Sequence, residues 1–164
     1  QQNAALAALC VEKLNKRFRL DQELIHQGLE KAQLAGRFQT KKIKGKEFIF
    51  DVAHNEAAVI ALAETLKKDN QPTLVIFSAL KDKNISLMIN AISPLVNQWL
   101  LVPLAVDRAA DMNLLISQFS LKESIIVYDN MNLAVNKALN QHSYQRIVVF
   151  GSFHVVADAL TALK

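Results

Sequence analysis

The 164-residue sequence predicts an α/β fold: a Rossmann-like, mostly parallel sheet with helices on both faces, preceded by two helices. Three observations carry that prediction. Short apolar runs recur beyond residue 36, among them TLVIF at 73–77, SIIVY at 124–128 and RIVVF at 146–150. Such runs are continuous rather than alternating, which marks strands covered on both faces. Between them lie stretches with apolar residues at helical spacing, and strands that alternate with helices join through right-handed crossovers into parallel sheets.

Taken in order, the chain opens with Leu6, Leu9, Cys10 and Leu14 at helical spacing. Asp21 is placed to cap a second helix, whose apolar face runs through Leu24, Ile25, Leu29 and Ala32. At Gly36 the texture changes, which divides the chain into residues 1–35 and 36–164. Residues 48–52 form the first compact strand, paired with an edge strand at 38–43. Strands at 73–77, 99–104, 124–128 and 146–150 follow. The helix at 56–68 carries Val59, Leu62, Ala63 and Leu66 on one side and ends in lysines, which suit a helix C-terminus. Ile85, Met88, Ile89 and Ile92 mark the next helix, stopped near Pro94. Asp111 caps a third with Leu114, Leu115 and Phe119 inward. Leu133, Ala134, Lys137 and Ala138 describe a fourth, and residues 155–163 close the chain.

Composition excludes several classes. With 51% hydrophobic residues, 3 Pro and 4 Gly, the chain is neither disordered nor collagen-like. Its single cysteine, Cys10, excludes an intrachain disulfide framework and a cysteine-rich zinc cluster, and fits a reducing compartment. The net charge is +4, with lysines clustered at Lys41, Lys42, Lys44 and Lys46, which would attract an anion. No finger or aromatic RNA-binding motif accompanies them, so nucleic acid is not an expected partner. No apolar run reaches the roughly 18 residues of a membrane span, so a membrane is not expected either. The opening Gln1-Gln2-Asn3 has no initiator Met and no basic signal-peptide region, which predicts a piece of a longer protein.

Sites in parallel sheets lie beyond the C-terminal strand ends, near a switch in strand order. That rule places Asp51 and His54, Ser78, Asp107 and Arg108, Asp129 and Asn130, and Gly151, Ser152 and His154 along one rim. A carboxylate such as Asp51 can accept from the paired hydroxyls of a ribose. His54 can donate to a phosphate or carboxylate oxygen, and Asn55 suits an N-cap. The alternative for Asp51 and His54 is a turn-stabilising pair. Arg37, just after a glycine, offers a bidentate grip on phosphate or is a solvated surface side chain. Lys81 or Lys83 can reach an anion with Asp82 orienting one of them, or the three form a solvated loop. Ser152 can cap a helix or donate to a ligand. No G-x-S-x-G elbow surrounds it, which argues against a hydrolase. The chain also lacks a G-x-x-x-x-G-K-[ST] phosphate loop, a G-x-G-x-x-G fingerprint and a zinc-spaced histidine pair. Any ATP chemistry would need another domain.

Gly36-Arg37-Phe38, Asp51-Val52-Ala53-His54-Asn55, Ala79-Leu80-Lys81-Asp82-Lys83 and Gly151-Ser152-Phe153-His154 occur in that order. Together they resemble the C-terminal domain of the bacterial bifunctional dihydrofolate synthase/folylpolyglutamate synthase family, within the Mur ligases. The segment around Pro103, Asp107 and Arg108 is similar as well. The resemblance implies that residues 1–35 are the terminal helices of a truncated central ATPase domain, and 36–164 a C-terminal Mur-ligase-like domain. Its partners would be the missing N-terminal and central domains of the same cytoplasmic enzyme. That enzyme would use ATP and Mg²⁺ to join L-glutamate to dihydropteroate or a reduced folate through an acyl phosphate.

By the same resemblance, Asn3 lies near adenine, Arg37 reaches the ATP phosphates, Asp51 holds ribose and His54 lies near the transferred phosphate. Arg108 helps recognise the glutamate carboxylates, and Ser152 and His154 sit on a loop for glutamate and the acyl acceptor. The main metal ligands are expected in the missing domains, so the isolated chain is expected to be inactive. Glu56 stands where the family commonly has proline, and is acceptable in a first helical turn. Other readings are an independent nucleotide-binding or regulatory module, a structural or flavodoxin-like α/β domain, and the C-terminal domain of a cell-wall peptide ligase.

Overall fold

The structure, a computed structural model, describes residues 2–18, 21–31, 34–69 and 71–164, with the side chains of 2–4, 16–18 and 30 outside the description. The chain divides into two compact units, Gln1–Leu34 and Ala35–Lys164. The first holds α1 (Gln2–Phe18) and α2 (Gln22–Lys31). Asp21 caps α2, its carboxylate accepting from the Leu24 amide at 2.7 Å. Ala32, expected on the apolar face of that helix, lies outside the described residues.

The second unit is built on one six-stranded sheet in the order β1-β2-β6-β3-β4-β5. The edge strand β1 (Gln39–Ile43) runs antiparallel to β2 (Lys46–Asp51), through a two-residue turn with positive φ at Lys44 and Gly45. Every other pairing is parallel: β2 with β6 (Arg146–Phe150), β6 with β3 (Thr73–Phe77), β3 with β4 (Gln98–Leu101), and β4 with β5 (Ile125–Val127). The helices α3 (Glu56–Leu66), α4 (Ile85–Ile92), α5 (Met112–Ser117), α6 (Met131–Asn140) and α7 (Phe153–Ala162) fill the connections. Each is started by a side chain that accepts the amide three residues on: Asn55, Asn84, Asp111, Asn130 and Ser152.

The continuous apolar runs resolve into two cores by the pleat. Ile49, Val75, Phe77, Trp99, Val148 and Phe150 face α3, α4 and α5. Phe48, Phe50, Leu74, Ile76, Ile147 and Val149 face α6 and α7. Burial on both sides removes the need for alternation, as expected for a parallel sheet.

Several expected details differ. The fourth strand stops at Leu101 rather than 104, because Pro103 has no amide to donate to a ladder. The Asn130 cap sets the phase of α6, so Met131, Ala134, Val135 and Ala138 face the sheet while Leu133 and Lys137 lie outside. Leu114 of α5 is likewise exposed, and Leu115 alone in that helix is buried. Lys46 leaves the solvated lysine cluster. It is 5% exposed, and its Nζ donates to the carbonyls of Gln141 at 2.7 Å and Tyr144 at 2.6 Å. Burial holds its pKa below the ordinary lysine value.

A second buried cation pins the N-terminal edge of the sheet. Arg146 opens β6 at 2% exposure. Its Nε donates to Thr73 Oγ1 at 2.8 Å, one terminal nitrogen to the Leu66 carbonyl at 3.1 Å and to the Asp69 carboxylate, and the other to the Gln71 carbonyl at 3.0 Å. A planar fork spread over four partners is the arrangement that makes a buried guanidinium tolerable. Arg146→Ala orphans buried acceptors and should cost on the order of 3 kcal/mol in urea denaturation. Arg146→Lys should recover only part of that loss, because a point charge cannot replace the fork.

Candidate active site at the C-terminal edge of the sheet

The helices that follow β2, β3 and β4 pack on one face of the sheet, and those that follow β5 and β6 on the other. The strand order advances from β2 to β5 and then returns to β6, and crossovers of one hand must then change face. β6 therefore sends its chain to the face opposite that used by its neighbours β2 and β3. A topological switch lies on each side of it, where open sheets place their ligands. The register puts Asp51, Phe150 and Phe77 in one row, so residues 52–55, 151–154 and 78–83 leave the sheet side by side.

At the β2 end, the turn carrying Arg37 is tied down on both sides. The Gly36 carbonyl accepts from the Val52 amide at 2.7 Å, and the Phe38 amide donates to Asp51 Oδ2 at 2.9 Å. Gly36 has φ +69°, and a Cβ there would meet Val52 Cγ1 at 2.8 Å. Arg37 itself is exposed and has no ion-pair or hydrogen-bond partner among the described residues. The other oxygen of Asp51 accepts from the Ala53 amide at 2.8 Å. Asp51 thus has the turn-stabilising role, and each oxygen keeps lone-pair capacity for a hydroxyl. His54 Nδ1 lies 2.8 Å from the Val52 carbonyl. A carbonyl only accepts, so Nδ1 carries the proton and Nε2 is left for a ligand. Asn55 caps α3, accepting from the Ala58 amide at 2.9 Å.

At the β6 end, Gly151 adopts φ +121°, and a Cβ would stand 2.0 Å from the Ser78 carbonyl oxygen. Ser152 is buried and caps α7, accepting from the Val155 amide at 3.2 Å, which leaves its hydroxyl proton to donate. His154 is exposed. Phe153, which residue-type reasoning did not single out, lies with its ring 6.3 Å from that of His54 at an interplanar angle of 40°. A signal was present: the first residue of a helix projects its side chain toward the N-terminus, here toward the rim. Ser78, expected on the same rim, directly follows β3. Its hydroxyl is buried with no hydrogen-bond partner among the described residues.

The loops after β3 and β4 are clipped together. The Lys81 amide donates to the Arg108 carbonyl and the Ala110 amide to the Ala79 carbonyl, both at 2.9 Å. Asp82 Oδ2 sits between Arg108 at 2.9 Å and Lys83 at 3.0 Å. It therefore orients both cations. The hydrogen bond from Lys83, joined by Arg108, holds the Asp82 carboxyl below its ordinary value against an opposing effect of desolvation. Arg108 follows β4, two strands from β6, and so stands apart from the Arg37, Asp51 and His54 cluster.

The side chain of Asn3 lies outside the described residues. Asn130 caps α6, accepting from the Leu133 amide at 3.0 Å, and with Asp129, Asp158 and Thr161 borders a cavity of about 400 Å³. A second, of about 430 Å³, surrounds Arg146 and Asp69 on the opposite edge. Neither is lined by Arg37, Asp51 or His54; Arg37 is exposed and the other two are half-buried at the end of β2. Among the described residues no group of three or more His, Cys, Asp or Glu could hold a metal. The residues fit the polar parts of a nucleotide and do not by themselves fit its Mg²⁺.

Residues 36–153 match the family described as Mur ligase, glutamate ligase domain. A dihydrofolate synthase/folylpolyglutamate synthase of Buchnera aphidicola subsp. Schizaphis graminum is 32% identical over 138 residues, covering 81% of this chain and 32% of that protein. The crystal structure of a bifunctional folylpolyglutamate synthase/dihydrofolate synthase from Yersinia pestis, complexed with AMPPNP and Mn ion, gives a TM-score of 0.78 at 32% identity. It covers 88% of this chain and 35% of that one. Escherichia coli FolC in complex with DHPP and ADP gives a TM-score of 0.84 at 30% identity, over 98% of this chain and 38% of that one. The chain spans about a third of the length of these relatives.

Two outcomes follow from the geometry. Gly151→Ala should lose on the order of 3 kcal/mol in urea denaturation or fail to fold, since neither the backbone angle nor the Ser78 carbonyl can yield cheaply. The carboxyl of Asp82 is depressed on folding, so the stability it lends is present above its ordinary value of 3.8 and is lost as pH falls through the lowered one. Resonances of Lys83 and Arg108 should move in that acid step, and Asp82→Asn should abolish it.

Proposed function

We propose a function for this chain, which belongs to the family of Mur ligase glutamate ligase domains. It is the C-terminal part of an ATP-dependent carbon–nitrogen ligase that joins L-glutamate to dihydropteroate or a reduced folate through an acyl phosphate. Residues 1–35 end the central ATPase domain of that enzyme, and 36–164 form its C-terminal domain. The exposed free thiol of Cys10 suits a reducing cytoplasm. The observation that carries the reading is the cluster beside β6. Among the described residues Arg37 has no partner, and Asp51, which ties down its turn, stands three positions before a histidine whose Nδ1 is held by the Val52 carbonyl. An exposed guanidinium in that position is what a phosphate-bearing neighbour would complete.

In this reading ATP supplies the phosphoryl group that activates the acceptor carboxylate, with Mg²⁺ held by residues outside this chain. Arg37 offsets charge that develops on the transferring group. Asp51 accepts from the ribose hydroxyls with the lone pairs its two amide bonds leave. His54, its Nδ1 held on the Val52 carbonyl, turns Nε2 toward the transferred phosphate. Arg108 binds a glutamate carboxylate by exchanging it for Asp82, and Ser152 and His154 offer donors to glutamate and the acyl acceptor. Closure of this edge against the rest of the enzyme keeps water from the activated carboxyl.

Two assays test the reading. The chain alone, given ATP, glutamate and either acceptor, should form no amide product; product from it would overturn the division of labour. In a polypeptide that also carries the upstream domains, Arg37→Ala should lower turnover on the order of 100-fold with an unchanged melting temperature. Unchanged turnover would remove Arg37 from the site, and tight ATP binding by the chain alone would favour an independent nucleotide module.

A further inference from the structure

We propose that Phe153 is a positioning residue for His54, holding its imidazole with Nδ1–H on the Val52 carbonyl so that Nε2 alone is presented to the ligand. The inference rests on the role given to His54 above and adds a residue to it. An exposed phenylalanine by itself signifies nothing. The place of this one does, because its ring lies 6.3 Å from that of His54 while remaining 59% exposed.

The hydrogen bond from Nδ1 to Val52, at 2.8 Å, favours one ring orientation, but a bond of ordinary strength does so only about fivefold. An unconstrained imidazole in water prefers the opposite tautomer, with the proton on Nε2. The bond alone therefore leaves a mixture of rings, some with the wrong nitrogen outward. An aromatic neighbour tilted by 40° meets a different edge of the imidazole in each flipped orientation, which adds a further bias of roughly twofold or more. Val52 sets which nitrogen turns inward, and Phe153 keeps the ring there. Gly151 and Ser152 make the contact possible: the glycine lets α7 start at once, and the cap fixes where its first residue projects.

The test is NMR on the 164-residue chain with ¹⁵N-labelled histidine, at a pH where the ring is neutral, with the His54 signals assigned by His54→Gln. Wild-type His54 should be mainly the Nδ1–H tautomer. Phe153→Ala and Phe153→Leu should both shift the ratio at least about twofold toward Nε2–H, while Phe153→Tyr keeps it and Arg37→Ala leaves it alone. A wild-type ring mainly protonated at Nε2, or a ratio unmoved in both Phe153→Ala and Phe153→Leu, would overturn the proposal. The measurement needs neither ATP nor glutamate, so its failure is distinct from failure of the ligase reading, which product formation decides.

Discussion

Where β6 ends, the chain passes so close to the carbonyl of Ser78 that no side chain fits. The rest of the functional edge depends on that approach. It lets the chain turn within a single residue, so that Ser152 caps α7 directly and Phe153 falls beside His54. It also draws the ends of β6 and β3 together, keeping their loops adjacent to the one that follows β2. A longer connection would still complete the sheet, but the switch beside β6 would no longer gather these groups.

The two edges of the sheet use charge differently. On the N-terminal edge, Arg146 and Lys46 are buried and spend their donors on carbonyls and, for Arg146, on Thr73 and Asp69 as well. Their positions are set by the chain itself. On the C-terminal edge, Arg37 is free of partners among the described residues, and Arg108 and Lys83 share one exposed carboxylate. Exposed pairs of that kind hold weakly and can be exchanged for a ligand's charge. The geometry separates structural cations from available ones.

Much of the fold was legible because its signals are local. Strands 73–77 and 146–150 are as long in the structure as their apolar runs, and Asp21, Asn55 and Asp111 cap the helices they precede. What escaped depends on contacts distant in sequence. Lys46 reads in the sequence as one of four clustered lysines, but the loop after α6 places two carbonyls over it. The inward face of α6 followed from the cap at Asn130 rather than from the count of apolar residues, since Leu133 and Ala134 offer two phases and only one meets the sheet. Within the site, residue type suggested Asp51 and His54, but not that Asp51 would spend both oxygens on amides. Phe153 carries no titratable signal and its partner lies 99 positions away in the chain, so its place at the start of a helix is the one local cue to its role.

The double engagement of Asp51 sets a constraint on how this edge can evolve. One oxygen supports the bend that displays Arg37, and the other supports the bend that leads to His54. If the same carboxylate also reads a sugar, then sugar preference and phosphate grip share a single hinge point. Under that condition a replacement of Asp51 that altered the first would loosen both bends and disturb the second in the same step.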